Sequence, residues 1–139
     1  MVDEGRVVRL LRGISERTER LRRAFESDPT GRGELWLDGV KYLFVTTIEA
    51  CVDVAQHIAS AENFGAPDTN AAAIRLLGSH AVVDVALADR VALAVGFRNV
   101  LVHQYARVDD GIVLAASARL VEFEDFVTQV SSWLVAQHD

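Results

Sequence analysis

Apolar residues recur at intervals of three and four positions along most of the chain, which is the spacing of amphipathic helices. A longer block, from Glu34 to about Asn63, is apolar on more than one side. A helix with so wide an apolar arc is usually central in a bundle or shared with another subunit. The first half of the chain therefore predicts two long helices, the first with its apolar positions at Val7, Leu10, Leu11, Ile14, Thr18, Leu21 and Phe25.

Two further helices are predicted in the middle of the chain. The segment "TNAAAIRLLG" has the length of a short helix, which we expect Gly78 to close. Asp84 follows soon afterwards and is a suitable N-cap. The helix that it begins runs from about Val85 to His103 or Tyr105 and is the most apolar of the chain.

The end of the chain completes the predicted fold. The segment "RVDDGIV" is interpreted as a polar turn, and a last helix spans roughly Ala118 to Ala136. No stretch shows the alternation of apolar and polar residues that a strand requires. The prediction is an all-α fold, an antiparallel bundle of four main helices plus a short one with short connections.

Length and composition narrow the class of protein. The chain has 139 residues, of which 50% are apolar, and this fits one compact domain over residues 1–139 with its own core. No apolar run reaches the roughly 18 residues of a membrane-spanning helix, and the start lacks a signal-peptide block. Cys51 is the only cysteine, so neither a disulfide framework nor a cysteine-based zinc site is expected. We expect a cytoplasmic protein without membrane contact.

Charge is distributed unevenly along the chain. The net charge is −6, which disfavours a general nucleic-acid binder. Residues 1–33 nevertheless hold eight arginines against six acidic residues, while the remainder is strongly acidic. We interpret the arginine-rich start as a solvated helix face on which Glu16, Glu19 and Glu26 alternate with the arginines. Contact with a polyanion would have to be local.

The polar positions of the second helix give weak signals. Glu49, Asp53 and His57 recur four residues apart, which suits a ligand set or, more simply, a hydrogen-bonded network along a polar seam. The four histidines show no paired metal-ligand spacing, and no glycine-rich loop follows a strand. Cys51 lies among apolar neighbours and is expected to be inert core. No metal and no cofactor are expected.

The segment "RNVLVHQY" places four polar residues on the most apolar helix. They are Arg98, Asn99, His103 and Tyr105. Burial of an unpaired arginine costs several kcal/mol, so Arg98 needs a carboxylate, a phosphate or water. At 100° per residue Asn99 shares a face with His103, whereas Arg98 and His103 diverge by about 140°. Two copies of the helix related by a two-fold axis would bring an arginine and a histidine into one cleft.

These residues carry a resemblance to a known family. The pattern Arg98-x4-His103-x-Tyr105 is similar to the R-x4-H-x-Y motif of the HepT-like toxins in the HEPN superfamily. The surrounding segments "TIEACVDVAQHIAS" and "LADRVALAVGFRN" agree with it, and the resemblance covers about Arg6 to Leu134. Val85 departs from the proline that often begins the motif helix in relatives, which affects only the entry to that helix.

The resemblance implies a homodimeric toxin that cleaves RNA without a metal. It implies that Arg98 and His103 are catalytic, that Asn99 supports the site, and that Tyr105 receives AMP from a nucleotidyltransferase antitoxin, which silences the toxin. Glu49 and Asp53, on the neighbouring helix, are candidates to hold Arg98 or His103 in place, although an ordinary interhelical polar pair explains them too. The alternatives are a non-catalytic helical partner of a nucleotidyltransferase or of a nucleotide, and a purely structural bundle.

Overall fold

The computed structural model describes residues 1–31, 33–104 and 108–138, and within these ranges every regular element is helical. The predicted all-α fold is therefore confirmed. The helices are α1 (Glu4–Ser27), α2 (Glu34–Ala61), α3 (Asn70–Ser79), α4 (Val85–His103), α5 (Asp110–Ala115) and α6 (Leu120–Ala136), with a 3₁₀ helix at Ala116–Arg119.

Side-chain caps fix the starts of several helices. The Asp84 carboxylate accepts a hydrogen bond of 2.6 Å from the Leu87 amide, as the sequence predicted. The Gln129 side chain on α6 donates to the same carboxylate at 2.7 Å, which ties the start of α4 to the last helix. The Leu87 amide, and after it Gln129, hold the pKa of Asp84 below its ordinary value.

The four long helices run antiparallel around one core. α1 packs against α2 and α6, and α4 packs against the same two helices from the opposite side, so α1 and α4 lie diagonally across the bundle. Phe44 of α2 is fully buried at the centre. Its ring lies 5.5 Å from that of Phe97 on α4, 6.1 Å from Phe25 on α1 and 6.4 Å from Phe123 on α6. Edge and tilted ring contacts thus join all four helices.

Buried Cys51 belongs to this core, as expected. Burial raises the pKa of its thiol, so the group is neutral and unreactive at neutral pH. No helix in the described ranges combines the length and the apolar character that a bilayer crossing requires.

The role predicted for Gly78 is wrong. Helix α3 continues to Ser79, with His80 as its C-cap, and Gly78 is a buried residue inside the helix. A Cβ atom on Gly78 would lie 2.7 Å from the Cβ of Ala88 on α4. The glycine therefore permits the close packing of α3 on α4, a tertiary requirement that the local sequence does not reveal.

The predicted polar turn at "RVDDGIV" is also wrong over part of its length. The carboxylate of Asp109 accepts a hydrogen bond of 2.6 Å from the Gly111 amide and caps the short helix α5. A 3₁₀ turn then leads into α6, which begins at Leu120 rather than near Ala118. The Asp-Asp-Gly sequence that suggests a turn serves here as a helix start.

The Gly78 contact predicts that alanine substitutions at Gly78 and at Gly39 change the stability of the protein in opposite directions. Gly78→Ala should lower the free energy of unfolding by about 1–3 kcal/mol, because the new methyl group overpacks the α3–α4 contact. Gly39→Ala, in α2 with open space where its Cβ would lie, should instead stabilise by up to about 1 kcal/mol through helix propensity. Urea denaturation of both variants measures this, and equal effects would contradict the packing argument.

Candidate functional site

The last turns of α4 carry the candidate site, and α2 supplies its main partner. Arg98 points toward α2, where its Nη2 and Nε donate to Oε1 of Glu49 at 2.7 and 3.3 Å. The side chains of Arg98 and Glu49 are 25% and 45% exposed. Of the two candidates to hold Arg98 or His103, Glu49 contacts Arg98, so a partly buried guanidinium is balanced by a carboxylate from the neighbouring helix.

Asn99 also contacts the arginine. Its Oδ1 accepts a hydrogen bond of 3.1 Å from Nη1 of Arg98. A guanidinium has five N–H groups in a planar fork, and three of those on Arg98 are engaged by Glu49 and Asn99. No acceptor among the described residues engages the other two, one on each terminal nitrogen, and they can bind an anion while the plane of the fork is held fixed.

His103 lies on a different side of α4. It is the last residue of the helix and is exposed, on the outer face that carries Leu93 and Val100. The structure thus places Arg98 and His103 on separate faces of one helix end, which agrees with the divergence calculated from the sequence. Tyr105, the predicted acceptor of AMP, lies outside the described residues.

A cleft of about 190 Å³ opens beside the Arg98–Glu49 pair, between α2, α3 and α4. Apolar side chains of α2 and α4 form part of its wall, and its polar rim comes from the second half of α2, the start of α3 and Arg98 of α4. The lining residues are Ile48, Glu49, Val52, Asp53, Gln56, Asn70, Val95 and Arg98.

Asp53 lines the cleft, but it is exposed and makes no ion pair with Arg98. His57 departs from the predicted stripe, because its Nε2 accepts a hydrogen bond of 2.9 Å from the Asp3 amide at the start of α1. The residue that extends the stripe is Gln56, whose side chain donates to Asn70 at 2.9 Å. The sequence contained a signal for Gln56: it lies seven residues after Glu49. Seven residues make nearly two helical turns, so the two side chains share one face of α2.

The candidate site offers donors and acceptors of hydrogen bonds rather than a metal-ligand set. Over residues 1–31, 33–104 and 108–138, no group of three or more His, Cys, Asp or Glu side chains is placed to hold a metal ion. The chemistry that the described side chains can supply is therefore binding of an anion by Arg98 and proton transfer by His103.

Comparison with known proteins decides the family. Residues 10–130 match the family described as Ribonuclease HepT-like. This chain belongs to that family. The HepT-like identity predicted from the Arg98, His103 and Tyr105 pattern is confirmed, and it covers far more of the chain than the motif does.

Two relatives with named activities are similar in sequence. The mRNA nuclease HepT of Shewanella oneidensis is 31% identical over 85 residues, which is 60% of this chain and 64% of that protein. The tRNA nuclease HepT of Aphanizomenon flos-aquae is 33% identical over 88 residues, 63% of this chain and 60% of that protein. The matched segment thus spans less than two thirds of the length of either relative.

A solved structure shows the same fold over nearly the whole chain. The tri-AMPylated HEPN toxin of Shewanella oneidensis, in complex with its MNT antitoxin, superposes with a TM-score of 0.84. The superposition covers 95% of this chain and 99% of that one at 24% sequence identity. The HEPN-like bundle predicted from the sequence is confirmed by this likeness.

The Arg98–Glu49 contact predicts a measurable coupling between α4 and α2. In a double-mutant cycle, Glu49→Gln and Arg98→Gln should couple by about 0.5–1 kcal/mol, because the pair is charged, well aligned and partly screened by water. Asp53→Asn is the matched control, since Asp53 lines the same cleft without pairing to Arg98. Urea denaturation measures both cycles. Equal coupling for Glu49 and Asp53 would contradict a specific ion pair.

Proposed function

We propose that this protein is the toxin of a toxin–antitoxin pair, a metal-independent endoribonuclease that acts as a homodimer. The observation that carries the proposal is the hydrogen bonding of Arg98. Its guanidinium is fixed by Glu49 and Asn99, and within the described part of the chain two of its N–H groups are left for a further acceptor. Membership of the Ribonuclease HepT-like family and two relatives named as RNA nucleases support this function.

In the proposed reaction RNA supplies its own nucleophile. The 2′-hydroxyl oxygen attacks the adjacent phosphorus, the bond from phosphorus to the 5′-oxygen breaks, and the products are a 2′,3′-cyclic phosphate and a 5′-hydroxyl. His103 of one subunit takes the proton from the 2′-hydroxyl, and the partner subunit's His103 gives a proton to the leaving 5′-oxygen. Arg98 stabilises the charge that builds up on the phosphate oxygens.

Glu49 and Asn99 are positioning residues in this proposal. Both accept hydrogen bonds from Arg98 and leave its outer edge open. Arginine suits the task better than lysine, because its planar fork can hold two phosphate oxygens at once. Asp53 borders the same cleft without touching Arg98, and we assign it a weaker, electrostatic part in the site.

The outer face of α4 is the surface that we assign to the second subunit. Leu93 is 61% exposed and Val100 is 39% exposed. Gly96 lies between them with open space where a Cβ would be. This apolar strip leads along the helix to His103, so a two-fold contact through it would bring both copies of His103 toward the shared cleft.

Control of the toxin is assigned to Tyr105 and a nucleotidyltransferase antitoxin. The similar toxin of Shewanella oneidensis is tri-AMPylated and bound to an MNT antitoxin. AMP on Tyr105 would add fixed negative charge two residues beyond His103 and compete for Arg98 with a substrate phosphate. The corresponding readout is a rise in intact mass after incubation with antitoxin and ATP, absent from Tyr105→Phe.

Replacement of His103 tests the ribonuclease proposal. His103→Ala should cut RNA about 10²–10⁴-fold more slowly than the wild type, because a general acid and base are lost. Both proteins are assayed on the same RNA with a metal chelator present, and the wild type should keep its activity. Wild-type cleavage no faster than that of the variant would refute catalysis. Binding without cleavage would favour the non-catalytic partner.

Substitution of the α4 strip tests the dimer. Leu93→Asp combined with Val100→Asp should convert the protein to a monomer and abolish cleavage. Removing the two new carboxylates from water at an apolar contact would cost several kcal/mol of binding free energy. Light scattering gives the molar mass. Val121→Asp on α6 is the control, since Val121 is 55% exposed on another helix. A wild type that is monomeric at micromolar concentration would exclude the shared cleft.

A further inference from the structure

One outer face of α1 is formed largely of arginines that the candidate site does not use. At 100° per residue, four of them lie within an arc of about 80° on the side away from the core. They span fourteen residue steps, or about 21 Å along the helix at 1.5 Å per residue. This arginine face consists of Arg6, Arg9, Arg17 and Arg20.

The guanidinium groups of these four arginines have no acidic partner among the residues that the structure describes. Two of the three other arginines of α1 are paired: Arg22 pairs with Glu124 on α6, and Arg23 lies 3.7 Å from Glu19. Glu19 therefore serves Arg23, which is outside the arginine face. Of the acids expected along this helix, Glu16 comes nearest, about 20° outside the arc, so the face keeps a local charge of about +3 even when Glu16 is counted with it.

Gly13 divides the arginine face into two pairs. A Cβ on Gly13 would lie 2.8 Å from Nη1 of Arg17, so the guanidinium rests against bare helix backbone. A glycine inside a helix costs about 1 kcal/mol relative to alanine. The lack of a side chain at Gly13 thus lets the Arg17 guanidinium lie close to the helix, between the two pairs.

The position of this face separates it from the site on α4. α1 and α4 lie diagonally in the bundle; Arg6, Arg9 and Arg20 are exposed, and Arg17 is partly buried. With neighbouring helix axes about 8–10 Å apart, the arginine face is on the order of 20 Å from Arg98. The rest of the chain is acidic, since the net charge of the whole protein is −6. A polyanion is therefore drawn to this face in particular.

We propose that the arginine face binds the phosphate backbone of RNA at a distance from the cleavage site. This inference rests on the proposed ribonuclease function. Arginine forks match phosphate oxygens, and four of them over about 21 Å suit a regularly charged strand. An acidic protein is the less favoured partner, because the face presents no exposed aromatic or large apolar anchor of the kind that dominates protein interfaces.

The test compares two variants with the same loss of charge. The arginine-face variant carries Arg6→Gln, Arg9→Gln, Arg17→Gln and Arg20→Gln. The control variant carries Arg22→Gln, Arg23→Gln, Arg75→Gln and Arg90→Gln, which lie elsewhere. Fluorescence anisotropy measures binding of a 2′-O-methyl RNA strand of about 30 nucleotides, which resists cleavage, over a series of salt concentrations. Thermal unfolding shows that each variant is folded.

Salt dependence gives the expected magnitude. Each phosphate contact on a single strand contributes about −0.7 to the slope of log K against log salt, so loss of four should reduce the slope by about 3. A fourfold rise in salt weakens such a contribution roughly 50-fold. The arginine-face variant should lose this sensitivity and the control should keep it. Cleavage of a short RNA of about four nucleotides should be equal in both, because it cannot reach α1.

The outcomes separate the two proposals. If the wild type cleaves RNA but the arginine-face variant matches the control in affinity and salt slope, the arginine-face inference is overturned and the ribonuclease proposal stands. If the variant keeps RNA binding but no longer binds the antitoxin, the partner is a protein and the inference is again wrong. If the wild type cleaves no RNA, the proposed function fails whatever the binding shows.

Discussion

The charge of Arg98 has to be balanced where α4 packs against α2, and the rest of the candidate site depends on this requirement. The core contact between Phe44 and Phe97 brings the two helices together and carries the neighbouring Arg98 toward α2. A guanidinium in that half-buried position requires a carboxylate, which Glu49 supplies. The same contact that closes the core thereby fixes the plane and direction of the cationic group.

The period of the helix then limits what one subunit can do. Since Arg98 is turned toward α2, His103 five residues later emerges on the outer face, beside the apolar strip of Leu93 and Val100. An acid–base pair and an anion clamp cannot easily converge on one phosphate from separate faces of a single helix. In the proposed dimer a second copy of the chain would cover the exposed strip and bring the separated groups to one phosphate.

Sequence periodicity predicted the features that depend on neighbouring residues in the chain. It failed for residues whose role depends on a contact with another helix. The starts of α2 and α4, the Asp84 cap and the central burial of α2 follow from spacing and residue type. Gly78 was misassigned because its role comes from the approach of Ala88 on another helix. His57 was assigned to one polar stripe with Glu49 and Asp53, but its ring nitrogen accepts a hydrogen bond from the Asp3 amide at the start of α1. Only the packed structure selects among the possible partners of a polar side chain.

The same argument explains why acidic composition does not exclude an RNA-binding role. Net charge averages over the molecule, whereas a strand of phosphates responds to the potential of the surface that it touches. Pairing decides that potential: Arg22 and Arg98 are matched by carboxylates on neighbouring helices, while Arg6 and Arg20 on the outer arc of α1 are not. The packing of α1 against α2 and α6 determines which arginines meet an acid. A fold that buries one face of α1 thereby leaves the opposite face positive.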